Sequence, residues 1–317
     1  KFMVNADGTL GDRNTVAAGS IEHKMGIKAS ATCVMNFDDA TGYLVGKENE
    51  GLAAMFVMMN YERLSMGLQG MGASEIAYQN AAVYAADRTQ GRSATGVKAS
   101  DKTADPIIHH PDVRRMLLNA RAHNEAGRCF AMYVARQLDL SKYGSGEQKA
   151  LAADRVALLT PVAKAFLTDK ALDACVDAQQ VFGGHGYIRE WGMEQYVRDV
   201  RIAQIYEGTN GIQALDLLGR KVIMQQGAGL QLLSNTVRAT INAGRVNSAT
   251  ADYAQALEQA LSALETATQA AWLGGNPRTA LPNAVPYMQA FGHMVIAWMW
   301  LDVATNKVAV KALYTPT

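Results

Sequence analysis

From Gly51 onward the apolar residues fall at helical spacing, and before it they do not. Leu52, Met55, Phe56 and Met59 recur three and four apart, and the stripe continues through Leu64, Leu68, Ile76 and Val83. This period predicts one long amphipathic helix that stops at RTQGR, Arg88 to Arg92. Gly67, Gly70 and Gly72 interrupt the stripe, where they suit close helix packing better than a loop. Residues 93–105 are small and polar and predict a surface loop. A second helix is expected from Pro111, because proline suits the first helical position, with Val113, Met116, Leu117 and Ala120 on one face. It should end near Ser141 to Gly146. A third runs from about Glu147 to Phe182 and stops at Gly183, with Pro161 a point where it can kink or split. A fourth spans Glu194 to about Ile205, and a fifth Gly211 to about Gln225. Long helices joined by short connections predict an antiparallel bundle.

The two ends differ from this middle. Residues 1–46 have strand character: Lys28 to Phe37 is bounded by turn signals, and Val4, Val16, Ile21 and Ile27 sit in short runs. At least two strands are expected, with turns at Asp7-Gly8 and Gly42. So small a sheet cannot bury two faces by itself. Beyond Gly227, Leu230 to Ala243, Asp252 to Leu273 and Pro286 to Leu313 predict three more helices, a separate helical appendage with no chemical motif.

Composition narrows the function classes. The chain has 317 residues, 30 Lys and Arg against 29 Asp and Glu, so no global field draws it to nucleic acid or an anionic membrane. Cys33, Cys129 and Cys175 are far apart and odd in number, which argues against a disulfide framework or a zinc site and fits a reducing, cytoplasmic setting. No apolar run approaches the ~18 residues of a membrane span; Met294 to Leu301 is too short.

The stretch Gln179 to Gln213, QQVFGGHGYIREWGMEQYVRDVRIAQIYEGTNGIQ, holds the candidate chemistry. Glu207 is a single carboxylate before a glycine at a helix break, free to face a cavity, and partial desolvation brings a carboxylate towards the range of a general base. On spacing alone a capping role at the next helix, where the dipole favours an acidic group, is the better account of Glu207. Gly183-Gly184-His185-Gly186 lacks the strand-before, helix-after context of a dinucleotide fingerprint and reads as an interhelical turn. His109 and His110 before Pro111 form a turn rather than a metal pair. Arg88 and Arg92 can neutralise a diphosphate or simply complement a helix C-terminus. Arg63, mid-helix, is a charge that wants a partner.

QQVFGGHGY followed by VRDVRIAQIYEGTNGIQ resembles the FAD-binding and catalytic-base segments of the acyl-CoA dehydrogenases, in order and spacing. The resemblance reaches back through DPIIHHPDVRRMLLNAR and DRTQGR to GSIEHKMGIKASATCVMNFDDATGYLVG, covering residues 1 to about 225. The C-terminal extension is similar to that of a larger bacterial subgroup that includes methylthiopropionyl-CoA dehydrogenases. The family implies the C-terminal part of a β-domain at 1–46, a helical bundle carrying the FAD and acyl-CoA site at 47–226, and a helical extension at 227–317. Glu207 would take the α-proton of an acyl-CoA while hydride leaves the β-carbon for the flavin, giving a trans-2-enoyl-CoA. Tyr206 and Gly208 match positions beside the thioester, and Arg63 the helix position that meets the CoA portion. Arg88 matches the arginine at the FAD diphosphate, often of the neighbouring subunit; Gln180, Gly183 and Gly184 match the adenosine side, and Thr209 the position after the base.

The family also implies a homo-oligomer, dimer or tetramer, and electron-transfer flavoprotein as partner. Two positions depart from the pattern: Gln90 stands before Gly91 where phenylalanine is common, and Gly211 replaces a polar FAD contact. The abrupt start, KFMVNADGTLGDRN, implies that the family's N-terminal helical domain and first β strands precede this chain. The competing readings are an acyl-CoA oxidase that uses O₂, a DNA-associated relative, which the charge of +1 disfavours, and a helical dimerisation fragment.

Overall fold

Each long apolar stripe forms a helix in the computed structural model, which describes residues 1–314, the side chains at 56, 57 and 307–314 excepted. Phe56 and Leu313, named in the expected helices, therefore lie outside the described side chains. Helix α1 spans Gly51–Asp87, α2 Pro111–Tyr143 and α3 Gly146–Val181. Helix α2 begins at Pro111, whose missing N–H would be unsatisfied there anyway. Pro161 lies inside α3 without splitting it.

Glu75 of α1 meets Asn124 and Arg128 of α2, and the Lys142 ammonium lies over the Tyr61 ring, so α2 runs antiparallel to α1. Helix α3 returns parallel to α1, with Gly67 against Ala163 and Tyr84 stacked on Phe182 at 4.0 Å. A Cβ at Gly67 would stand 2.7 Å from the Ala163 carbonyl oxygen and one at Gly70 3.1 Å from the Ala171 Cβ, so these two serve close packing, whereas a Cβ at Gly72 would meet open space.

The chain then takes short turns: α4 (Met193–Val200), a 3₁₀ turn (Arg201–Gln204), α5 (Asn210–Asp216) and a π turn (Leu217–Lys221). Gln225 and Gln226 take left-handed φ, which ends the expected fifth helix. Helices α6 (Ala228–Arg245), α7 (Ala251–Trp272), α8 (Pro277–Ala280) and α9 (Ala284–Tyr314) follow.

Two hydrophobic clusters hold these helices. The larger joins Phe130 and Val134 of α2, Phe166 and Leu167 of α3, Leu217 and Leu218 after α5, Ile241 of α6, Leu261 of α7, and Phe291 and Trp298 of α9. Burying each such side chain stabilises by about 1.5–3 kcal/mol. The expected break at 226/227 therefore falls inside one core: the last helices are apolar on the face they turn to α2 and α3, and residues 60–317 form a single compact unit. The smaller cluster collects Ala81, Ile107, Met116, Cys175, Val181, Phe182 and Met193, and burial pushes the Cys175 thiol up to about 12.

Residues 1–59 form the other unit, a division that comes after the expected 46/47. It has four strands as two antiparallel pairs, β1 (Phe2–Val4) with β2 (Leu10–Arg13) and β3 (Val16–Ile21) with β4 (Cys33–Phe37). The Asp7-Gly8 turn forms as expected, Asp7 Oδ1 accepting the Thr9 N–H at 3.0 Å. Phe2, Leu10, Ile21 and Phe37 are exposed, as two-stranded sheets with no covering layer require. Among the described residues no helix is long and apolar enough to cross a membrane.

Candidate active site

Glu207 has φ +56° and Gly208 φ +83°, two left-handed residues in succession between the 3₁₀ turn and α5. Glutamate in this region carries strain on the order of 1 kcal/mol, and such strain persists only where the surroundings over-determine the backbone. Here they do. Gln213, fully buried, donates its Nε2 to the carbonyl oxygens of Glu207 and Gly208 at 3.3 and 3.4 Å. A Cβ at Gly208 would lie 2.6 Å from that nitrogen, so sterics and φ both demand glycine.

The turn is clamped on each side. Before it, the Tyr206 hydroxyl donates to Gln69 Oε1 of α1, and burial pushes the phenol up. After it, the Thr209 hydroxyl caps α5 by accepting the Ile212 N–H at 3.3 Å. Thr209, not Glu207, therefore caps α5. Asn210, the first residue of α5, enters the bundle. Its Oδ1 accepts from Lys164 Nζ at 2.8 Å, and its Nδ2 donates to Asp169 Oδ1 at 2.6 Å, Thr168 Oγ1 at 2.9 Å and the Ala165 carbonyl at 3.1 Å. Further on, Asp216 pairs with Arg63 at 3.5 Å and Arg220 at 2.9 Å.

Lys164 is fully buried, and desolvation pulls its ammonium down to about 8 against the opposing pull of Asp169 and Glu207. The Glu207 carboxylate itself takes no hydrogen bond from any described residue. Arg63, expected to want a partner, has one in Asp216, yet its Nε is buried without a partner. Thus Arg63, Tyr206, Glu207, Gly208 and Thr209 share one polar neighbourhood.

Arg88 and the GGHG turn make a second one. Arg88, Gly183 and Gly184 line a cavity of about 260 Å³ with Tyr84, Gln90, Phe182 and His185. Gln180 is exposed one turn earlier, at the end of α3. The walls are aromatic: Tyr84 stacks on Phe182, His185 on Trp191 at 4.5 Å, and the Tyr84 hydroxyl lies 2.9 Å from His185 Nδ1. The Arg88 guanidinium is exposed and pairs with no described residue.

Arg92, its alternative on spacing, is committed elsewhere. It binds the Asp105 carboxylate at 3.1 Å and the Ala99 carbonyl at 2.9 Å. Asp105 is fully buried, and the backbone N–H of Ser93, followed by those of Ala99 and Lys98, holds its carboxyl well below the usual range. This carboxylate organises the 93–105 loop. His109 ends a 3₁₀ turn, and His110 Nε2 lies 2.7 Å from the Gln90 carbonyl oxygen. Among the described residues no set of His, Cys, Asp and Glu is arranged to hold a metal ion.

Lys164, Asn210, Asp169 and Gln213 escaped the sequence reading. A lysine among apolar residues (VAKAF) was the available signal for Lys164; Asp169 had none, since its partners lie on three other elements.

The family model for the acyl-CoA dehydrogenase C-terminal domain matches residues 49–223, and one described as acetyl-CoA dehydrogenase C-terminal like matches 233–314. A 3-methylmercaptopropionyl-CoA dehydrogenase of Ruegeria pomeroyi is 42% identical over 94% of this chain and 51% of its own length. A broad-specificity linear acyl-CoA dehydrogenase of Mycobacterium tuberculosis is 32% identical over 99% of this chain and 53% of its own. The chain spans about half the length of these curated relatives. An acyl-CoA dehydrogenase of Bacillus anthracis, solved with FAD, shares the fold at a TM-score of 0.76, with 21% identity over 97% of this chain and 52% of its own. With more than half its length matched by one family model, the chain belongs to the acyl-CoA dehydrogenase family.

Proposed function

We propose that the protein containing this chain is an FAD-dependent acyl-CoA dehydrogenase in which Glu207 removes the α-proton of the thioester and the product is the trans-2-enoyl-CoA. The supporting observation is the Glu207 turn: a strained, clamped backbone that presents a carboxylate no described residue engages. A base held in that manner keeps its reach to a bound substrate, which is where general-base catalysis gains its rate. Lys164, buried and bonded to Asn210 beside the turn, places a cation within electrostatic reach of the Glu207 carboxylate.

Arg63 and the Tyr206–Gly208 backbone are assigned to the CoA portion and the thioester; the orphaned Arg63 Nε is a donor still available to a ligand. The unpaired Arg88 and the open Gly183-Gly184 backbone fit the diphosphate and adenosine end of FAD, with Gln180 beside them and Thr209 at the base turn. FAD, when bound, supplies the hydride acceptor. A homo-oligomer, in which Arg88 serves the cofactor of a neighbouring copy, and electron-transfer flavoprotein as the reoxidant complete the reading. The relative at 42% identity is named for a thioether acyl-CoA, so 3-methylmercaptopropionyl-CoA heads the substrate panel.

The test is anaerobic reduction of the flavin in the full-length protein, wild type and Glu207→Gln, across acyl-CoA chain lengths. The variant should lose about 10²–10⁴-fold in reduction rate at unchanged melting temperature. Reduction of the variant at a rate within a few-fold of wild type would remove Glu207 as the base, and a wild-type flavin that no acyl-CoA bleaches would remove the activity.

A further inference from the structure

The Asp169 carboxylate is where the base turn and the C-terminal helix meet. Oδ1 accepts from Gln204 Nε2 at 2.7 Å and from Asn210 Nδ2 at 2.6 Å; Oδ2 accepts from Gln289 Nε2 at 2.6 Å. Gln204 ends the 3₁₀ turn that leads into Tyr206-Glu207, and Asn210 opens the helix that leaves it. One carboxylate on α3 therefore ties down the chain before and after the base. Gln289 comes from α9, 120 residues further along. Its placement follows from packing: Gly292, one turn on, lies so close to the Phe166 ring that a Cβ would overlap it, and the His293 ring meets Phe166 edge-on at 5.0 Å. Helix α9 crosses α3 at Phe166, which carries the Gln289 amide to Asp169.

We infer that Gln289 is a positioning residue: through Asp169 and Asn210 it holds the strained Glu207 turn in reacting geometry, which gives the C-terminal helix a part in catalysis. This rests on Glu207 being the base. The turn needs such support because left-handed glutamate relaxes if its anchors loosen. Asp169 with one amide removed regains rotational freedom, and Asn210 and Gln204 lose a fixed acceptor. Lys164, on the other side of Asn210, faces the same cluster from α3, and its ammonium feels the charges of Asp169, of Glu207 and, from α1, of Arg63.

The test uses the full-length, FAD-loaded protein with its preferred acyl-CoA. Gln289→Glu sets two carboxylates face to face; Gln289→Met keeps the length and removes the amide, and carries the test if the first variant does not fold. Either should lower the limiting rate of flavin reduction roughly tenfold or more, since small misplacement of a reacting group is costly, with the KM for acyl-CoA within about twofold. Exchange of the α-proton with D₂O, followed by NMR, should fall in parallel. Asp169→Asn combined with Gln289→Glu reverses donor and acceptor and should bring both readouts back to within about threefold of wild type. A reduction rate unchanged in the single variants, a rise in KM alone, or a loss that the reversed pair does not restore would each overturn the inference. A wild-type flavin that no acyl-CoA reduces would instead remove the activity, and this inference with it.

Discussion

The Glu207 turn and the Arg88 cavity carry the two charges on which the functional reading depends, and they are built in opposite ways. At the turn almost every polar group except the Glu207 carboxylate is engaged: Tyr206 with Gln69, Thr209 with the Ile212 N–H, and Asn210 with Lys164, Asp169 and Thr168. At the cavity the walls are stacked aromatic rings and the cation pairs with no described residue. A base must be held at one position relative to a C–H bond, so the protein invests in hydrogen bonds around it. A cation that grips a diphosphate needs its donors free, and the ligand itself supplies the order. The contrast teaches that an unpaired charge means different things in a clamped and in an open setting.

Substitutions break the two regions differently. Asn210→Ala removes the acceptor of a buried ammonium and a donor to Asp169, and leaving a buried charged group unsatisfied should destabilise by about 3 kcal/mol, measured by urea unfolding. A loss below about 1 kcal/mol would show that the network does not carry the turn.

The next effect is on pH. Because the Lys164 ammonium titrates at about 8 in the folded protein against 10.5 unfolded, both states are protonated below pH 8 and the fold bears the full burden of the buried charge. Between pH 8 and 10.5 the unfolded chain binds the extra proton, so this burden is relieved as pH rises. The stability of wild type relative to Lys164→Met should therefore increase through that window, by on the order of 3 kcal/mol in total. A flat difference from pH 7 to 10.5 would contradict the buried charge.

Arg88→Ala should do the reverse of Asn210→Ala. Its exposed guanidinium has no partner among the described residues to lose, so unfolding should shift by no more than about 0.5 kcal/mol. FAD affinity of the full-length apoprotein, by fluorescence titration, should fall about tenfold or more through loss of a charge-assisted contact. Equal affinity would leave Arg88 without a ligand role. Smallest, Thr209→Ala should cost about 1 kcal/mol as a lost N-cap while leaving proton abstraction far less affected than Glu207→Gln does.

Much of this was legible before the structure. The 3.6 period located α1, α2 and α3 within a few residues, because an amphipathic stripe is a local property, and Pro111 and Gly183 marked a start and a stop for local steric reasons. The motif IYEGT singled out Glu207 through resemblance, whereas spacing alone could not separate a base from a cap. The Thr209 hydroxyl, which no residue pattern marks as the cap, takes that role, and the left-handed φ of Glu207 supports the proposed base. The same limit explains Arg88 and Arg92: two arginines four apart at a helix end look alike until a buried Asp105 claims one of them.

The sequence by itself determined which segments are helical, the buried face of α2, and the family from its glycine and glutamate motifs; on α1 the apolar stripe is exposed at Leu52, Met55, Leu68, Ile76 and Val83, and Met71, Ala77, Ala81 and Ala85 are buried instead. The tertiary structure alone decided that Asp169, Asn210 and Gln289 converge, and that the last helices share the bundle's core rather than standing apart. The physical reason is range. Periodicity and capping act within a few residues, whereas a carboxylate shared by α3, α5 and α9 depends on how helices cross, and that is set by all the packed side chains together.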